Sequence, residues 1–166
     1  CGSGWVSMNR AWTPAATAQW TRSMRRCQEL NDNLVRCDWG RAIDWQAFAA
    51  TDVASKAVLV QTDWDRHWRT DQYFEGHPYL TAEASTYLRD QGAFLVGIDS
   101  LNIDDTDGTE RPVHSTLLAA GIPIVEHLTN LGALPVSGFA FNAAPPKVAG
   151  MGTFPVRAHA VLNPMN

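Results

Sequence analysis

"TAEASTYLRDQGAFLVGIDS", residues 81–100, carries two different periodicities back to back. Thr81 stands where an N-cap belongs, Ala84, Tyr87 and Leu88 recur at helical spacing, and Gly92 supplies a stop. Residues 81–92 therefore read as a helix. The apolar run that follows, "AFLVGIDS" at 93–100, is too short for a helix and reads as a buried strand. A helix feeding directly into a buried strand is the repeating unit of an α/β sheet.

The same alternation continues outward. "KAVLVQT" (56–62) reads as a strand bounded by Ser55 and Asp63, with a short helix in "IDWQAF" (43–48) before it. "VHSTLLAAG" (113–121) reads as a two-turn helix and "IPIVEH" (122–127) as the next strand. "LTNLGALP" (128–135) reads as a helical turn ending at Gly132. "GFAFNAAPPKV" (138–148) and "TFPVRAHAVL" (153–162) read as two further strands, the last in plain alternation. The expected fold class is α/β, a mixed, partly parallel sheet with flanking helices.

A seam falls near residue 40. Residues 1–40 hold all three cysteines, four of the seven tryptophans, and five basic against three acidic residues. They show only a weak helical pattern around 15–30, so this segment is expected to be poorly ordered or packed peripherally. The expected organisation is an atypical N-terminal segment, 1–40, followed by an α/β domain, 41–166. The chain begins at Cys1 rather than Met, which suggests a fragment or a processed product.

At 166 residues with 45% hydrophobic and 18% charged residues, the composition is that of one globular domain. A net charge of -4 without a basic stripe argues against nucleic acid as the partner. No apolar run approaches the roughly 18 residues needed to span a bilayer. Cys1, Cys27 and Cys37 lack metal-ligand spacing, which fits free thiols in a reducing cytoplasm.

His114 opens the 113–121 helix and Glu126 closes the next strand. In an α/β unit those two positions share the rim at the carboxyl ends of the strands, where open sheets bind ligands. Asp99, ending its own strand, is expected on that rim too. An imidazole and a carboxylate suit Zn²⁺, Mn²⁺ or Fe²⁺ as half of a site. The alternative is an imidazole satisfying local carbonyls and a glutamate paired with an arginine. His127 would face the other side of the strand and reads as structural.

"DWDRHWRTDQYFEGHPYL" (63–80) concentrates aromatic and histidine side chains after a strand. Trp64, Trp68, Tyr73 and Phe74 are the candidates to stack an aryl substrate, and His67 is the candidate acid/base. A lid packed over the core is the competing reading. "SLNIDDTDGTE" (100–110) lacks calcium-loop spacing and reads as a solvated acidic turn.

Four stretches resemble the cyclase family that includes bacterial kynurenine formamidase and isatin hydrolase. They are "AVLVQTDWDRHW" (57–68), "YLTAEASTYLRDQGAFLVGIDSLNID" (79–104), "RPVHSTLLAAGIPIVEHLTNLGALP" (111–135) and "PPKVAGMGTFPVRAHAVL" (145–162). The resemblance implies a β/β/α swivelling fold, a homodimer or homotetramer, and a metal-dependent amidohydrolase with Zn or Mn. It implies that His114 and Glu126 bind the metal, and that the metal polarises an amide carbonyl and activates water.

The chain departs from that pattern in one place. The family's upstream HxGTHxDxPxH motif, source of further ligands and an acid/base histidine, is missing: no His precedes His67. Two functions stand side by side. One is hydrolysis of aryl formamides or cyclic amides, impaired by the missing ligands. The other is a non-catalytic cyclase-like domain for small-molecule binding or assembly.

Overall fold

The computed structural model describes residues 2–7, 32–38, 40–144, 146 and 152–162. Its strands in chain order are β1 (Gly2–Ser7), β2 (Asp32–Arg36), β3 (Ala42–Ile43), β4 (Ala57–Gln61), β5 (Tyr79–Leu80), β6 (Leu95–Ile98), β7 (Ile124–Glu126), β8 (Ser137–Ala144) and β9 (Thr153–Leu162). Among the described residues, two α-helices join them, α1 (Ala82–Asp90) and α2 (Pro112–Ala119). Short 3-10 turns occupy Trp45–Phe48, Trp64–His67, Asp71–Phe74 and Leu131–Ala133.

The main sheet is mixed and curls into a closed barrel in the order β1-β7-β6-β4-β2-β8-β9. Strands β2, β4, β6 and β7 run parallel to their neighbours within that group, while β8, β9 and β1 pair antiparallel. Strands β3 and β5 form a separate two-stranded ribbon.

Each parallel strand is buried on both faces, as expected where helices cover one side and a barrel interior fills the other. All five residues of β4 are buried. Its Val58 and Val60 join Val96, Ile98, Leu88 and Leu117 in a core beneath α1 and α2. Ala57 and Leu59 turn the other way, into a core with Leu95, Val125, Phe139, Phe141 and Phe154. Period-two alternation thus sorts one strand between two cores. Gly97 faces the second core, where a Cβ would lie 2.8 Å from side-chain atoms of both Leu59 and Leu128. A side chain there would have to push the methyl ends of those two leucines aside.

The helix of residues 81–92 forms as its sequence indicates. The Thr81 hydroxyl accepts the Ala84 N–H at 3.1 Å and donates to Asp44 at 2.7 Å. Gly92 takes a left-handed φ of 75° where the helix ends. Helix α2 has Pro112 at its first position, but the preceding Arg111 gives no side-chain cap.

One expectation for residues 1–40 needs revision where those residues are described, that of peripheral packing. Strand β1 pairs with both β7 and β9, and β2 pairs with both β4 and β8, so neither is peripheral. Asp32 gives the physical reason at β2. Its buried carboxylate accepts the Ala57 N–H at 2.8 Å and the Phe141 N–H at 2.7 Å, tying together the strands on either side. The helical pattern around 15–30, Cys1 and Cys27 lie outside the described residues. Among the described residues, no helix is long and apolar enough to cross a membrane.

Candidate metal centre

Strand β7 begins with Ile124 in the core under the helices, so two residues on, at the strand's end, Glu126 projects toward the same side. Helix α2 begins on that side, and its first turn carries His114. The two side chains meet there, with His114 Nε2 3.6 Å from Glu126 Oε1. Glu126 is 7% exposed.

Both groups are held from the acidic loop. The Ile103 N–H donates to Glu126 Oε1 at 2.8 Å. The carboxylate of the next residue, Asp104, accepts Val113 N–H at 2.7 Å and His114 N–H at 3.0 Å, and it meets His114 Nδ1 at 2.7 Å. Asp104 is thus the N-terminal cap of α2, reached from ten residues upstream. Because Pro112 has no N–H and Arg111 no capping group, the free N–H groups of the first turn need an acceptor from elsewhere.

The expectation of a solvated acidic turn is therefore wrong for Asp104, which is fully buried. It holds better for Asp105 and Asp107, whose carboxylates pair with Arg41 at 3.2 and 3.0 Å. Arg111 closes the loop on itself through the carbonyls of Asp105, Gly108 and Glu110.

Burial works against a charged His114 ring, but the Asp104 hydrogen bond and the nearby Glu126 and Asp104 charges outweigh it and raise its pKa. Burial also raises the Glu126 pKa, opposed by His114 and the Ile103 N–H. Each partner therefore holds a proton more readily than it would in water.

Asp99 does not join this pair. It follows Ile98, which faces the helices, so its own side chain turns to the opposite face. There its carboxylate accepts Thr62 N–H at 2.9 Å, Thr62 Oγ1–H at 2.6 Å and Asp63 N–H at 2.9 Å. Burial pushes its pKa up to about 6 despite these donors. Among the described residues, Asp63, Asp65 and Asp99 form the one trio whose ligand atoms lie within 4.8 Å of one another.

The aromatic loop divides. Tyr73 is 2% exposed, and its hydroxyl meets His127 Nδ1 at 2.9 Å. His127, with φ of 57°, has left the strand geometry expected of it. Trp68 packs edge-on against Tyr73, at 5.0 Å between ring centroids. Trp64 donates its indole N–H to the Tyr73 carbonyl at 3.0 Å, and its ring packs on His67 at 4.6 Å. His67 Nε2 accepts from Arg66 Nε at 3.1 Å. Phe74 is 64% exposed. Burial raises the Tyr73 pKa, helped by the Asp99, Asp65 and Glu126 charges.

Beside the acidic trio, Arg36, Cys37, Asp38, Gln61 and Asp63 line a cleft of about 270 Å³. Burial, with Asp99 and Asp38, pushes the free Cys37 thiol up to about 12.

Known proteins share this arrangement of elements. Residues 41–105 match the family model described as "Cyclase: Putative cyclase". A kynurenine formamidase of Salinibacter ruber is 39% identical over 71 residues, 43% of this chain and 33% of that protein. A kynurenine formamidase of Bacillus cereus is 31% identical over 62 residues, 37% of this chain and 30% of that protein. The chain thus spans about a third of the length of these curated relatives.

Among solved structures, an isatin hydrolase bound to the product analogue thioisatinate superposes with a TM-score of 0.75 at 20% identity, covering 95% of this chain and 70% of that one. A structure described as a potential metal-dependent hydrolase with cyclase activity gives 0.68 at 24% identity, covering 95% and 76%. These likenesses establish the fold. Over part of its length, the chain is similar to cyclase-family proteins.

Proposed function

We propose that this chain is a metal-dependent hydrolase of aryl formamides or cyclic amides, in which His114 and Glu126 hold a divalent cation, Zn²⁺ or Mn²⁺. The observation that carries this reading is the 3.6 Å approach of His114 Nε2 to Glu126 Oε1 at the mouth of α2. Two ligands of one tetrahedral ion, each bonded at about 2.1 Å, stand roughly 3.4 Å apart. A neutral imidazole and a carboxylate are also the donor types such ions take. When bound, the cation supplies Lewis-acid polarisation of the amide carbonyl.

The chain's own residues do the rest. His114 presents Nε2 because Asp104 occupies Nδ1. Glu126 is held by the Ile103 N–H and is shielded from water. Trp68 and the exposed Phe74 offer apolar faces to an aryl group, with Trp64 and Tyr73 behind them. His67, half-buried against Trp64, is the candidate acid/base. The resemblance further implies a homodimer or homotetramer, which light scattering would test, and the free-thiol reading of the cysteines fits a cytoplasmic location.

Turnover by this chain is expected to be slow. A catalytic metal generally has three protein ligands and one open position, whereas His114 and Glu126 supply two. This count favours a second reading, a non-catalytic domain that binds a small molecule or assembles with copies of itself. Calorimetric titration with Zn²⁺ and Mn²⁺, followed by a formamide hydrolysis assay, separates the two. Weak binding that H114A abolishes, with slow metal-dependent turnover, supports the hydrolase. Binding without turnover supports the second reading. No binding overturns the metal assignment.

A further inference from the structure

The dipeptide Ile103–Asp104 touches both members of the candidate pair at once. Its two contacts are of different kinds: a backbone N–H on Glu126 Oε1 at 2.8 Å, and a buried carboxylate on His114 Nδ1 at 2.7 Å. We propose that Asp104 is a positioning residue which fixes His114 as the Nδ1–H tautomer and turns the bare Nε2 toward Glu126. The inference deepens the metal assignment above and rests on it for its consequence.

Three observations support it. Asp104 is fully buried, so its charge is committed to the groups it meets. Two of those groups are donors, the Val113 and His114 N–H, and at 2.7 Å from the ring Nδ1 the carboxylate offers only an acceptor. A carboxylate has two oxygens and only acceptor capacity, so it suits three donors, whereas a carboxamide has one oxygen and would turn an NH₂ toward one of them. The same side chain also caps α2, which fixes the Cα of His114 while the ring contact fixes its plane. An acidic partner on the remote nitrogen of a metal-ligating histidine sets the tautomer and ring orientation. The sequence signal is a helix opening on Pro112 behind a non-capping Arg111, with acidic residues shortly upstream.

The test uses the full chain labelled with 15N-histidine. Long-range 1H–15N spectra at pH 8 report the tautomer of each neutral ring, with H114Q identifying the His114 signals. The wild-type ring is expected as Nδ1–H. In D104N the ring becomes a mixture of tautomers, and Zn²⁺ affinity, read by calorimetry, falls by about 10- to 100-fold. A wild-type Nε2–H tautomer overturns the proposal at once. So does a D104N protein with lowered Tm but unchanged tautomer and affinity, which is what capping alone would give. If D104N does not fold, D104S, whose hydroxyl still accepts one helix N–H, takes its place with the same expectations. Failure of the metal reading is separately visible: the wild-type His114 nitrogens would not shift on adding Zn²⁺, while their tautomer would still decide the role of Asp104.

Discussion

Two groups of carboxylates occupy the carboxyl rim of one sheet, on opposite faces of it. Glu126 and Asp104 surround His114 under the helices, and Asp63, Asp65 and Asp99 gather on the other side. The second group looks the better cation site by number of oxygens. Yet each of its members already accepts a protein hydrogen: Asp99 from Thr62 and Asp63, Asp63 from Gln61 at 2.6 Å, and Asp65 from the Asn130 N–H at 2.7 Å. These bonds pin the turn after β4 to β6 and to the loop after β7. In the first group a ring nitrogen instead faces a carboxylate with no hydrogen shared between them at 3.6 Å. Glu126 too accepts a protein hydrogen, from the Ile103 N–H, so what sets the first group apart is the imidazole nitrogen that the acidic trio does not offer.

Breaking the first group should have the largest effect. H114A is expected to weaken Zn²⁺ or Mn²⁺ binding by more than about 100-fold, since a lost ligand exceeds the cost of a lost outer-shell partner. Equilibrium dialysis would measure it. Retained affinity in H114A would move the cation to the acidic trio and reverse the comparison.

The second group should answer in stability rather than in metal binding. D99N places an amide among N–H donors and is expected to cost about 1–3 kcal/mol at pH 7, measured by urea unfolding. The pH dependence carries a sign. The folded-state pKa of Asp99 is raised from 3.8 to about 6, so the folded protein binds that proton more tightly than the unfolded chain does. Its contribution to stability is therefore largest below the unfolded value and declines as pH rises through about 6. D99N should remove this downward slope between those two pH values. An unchanged slope would mean that another group titrates there.

Smaller effects sharpen the border between the groups. Y73F removes the hydroxyl that meets His127, for an expected loss of about 0.5–1.5 kcal/mol in thermal or urea unfolding. D65N, altering a half-buried carboxylate of the trio, should leave metal affinity within about twofold of wild type, the range of substitutions away from a site. A larger drop would give the trio a share in binding.

Much of the fold could be read from local pattern. Strands β4, β6 and β7 are built on short apolar runs, β9 alternates from Thr153 to Ala160, and α1 has Thr81 and Gly92 as its limits. Strand β2 escaped because "DNLVR" is short and its register shifts beside Asp32, so its place depends on two partners distant in sequence. β3 and β5, of two residues each, are too short to show any period. At the candidate site, His114 and Glu126 were legible because helix start and strand end converge by topology alone. Asp99 was misjudged because the rim was treated as one place, when alternation gives it two faces. Asp104 was missed because its partners lie on a helix that begins after an intervening loop, and only the uncapped Pro112 start hinted at them.

The closure of the barrel has a temporal consequence. Among the described residues, strand β1 pairs with β7 and β9, placing Trp5 opposite Glu126 and Gly2 opposite Ala158. A ribosome therefore delivers β1 long before either neighbour, and the ring cannot shut until β9 has emerged. Such distant pairings are slow to form. Until then the faces carrying Phe139 and Phe141 lack the cover of Phe154 and Val156. Nascent chains paused before residue 153 should thus bind hydrophobic-surface chaperones, and release from the ribosome should end that binding.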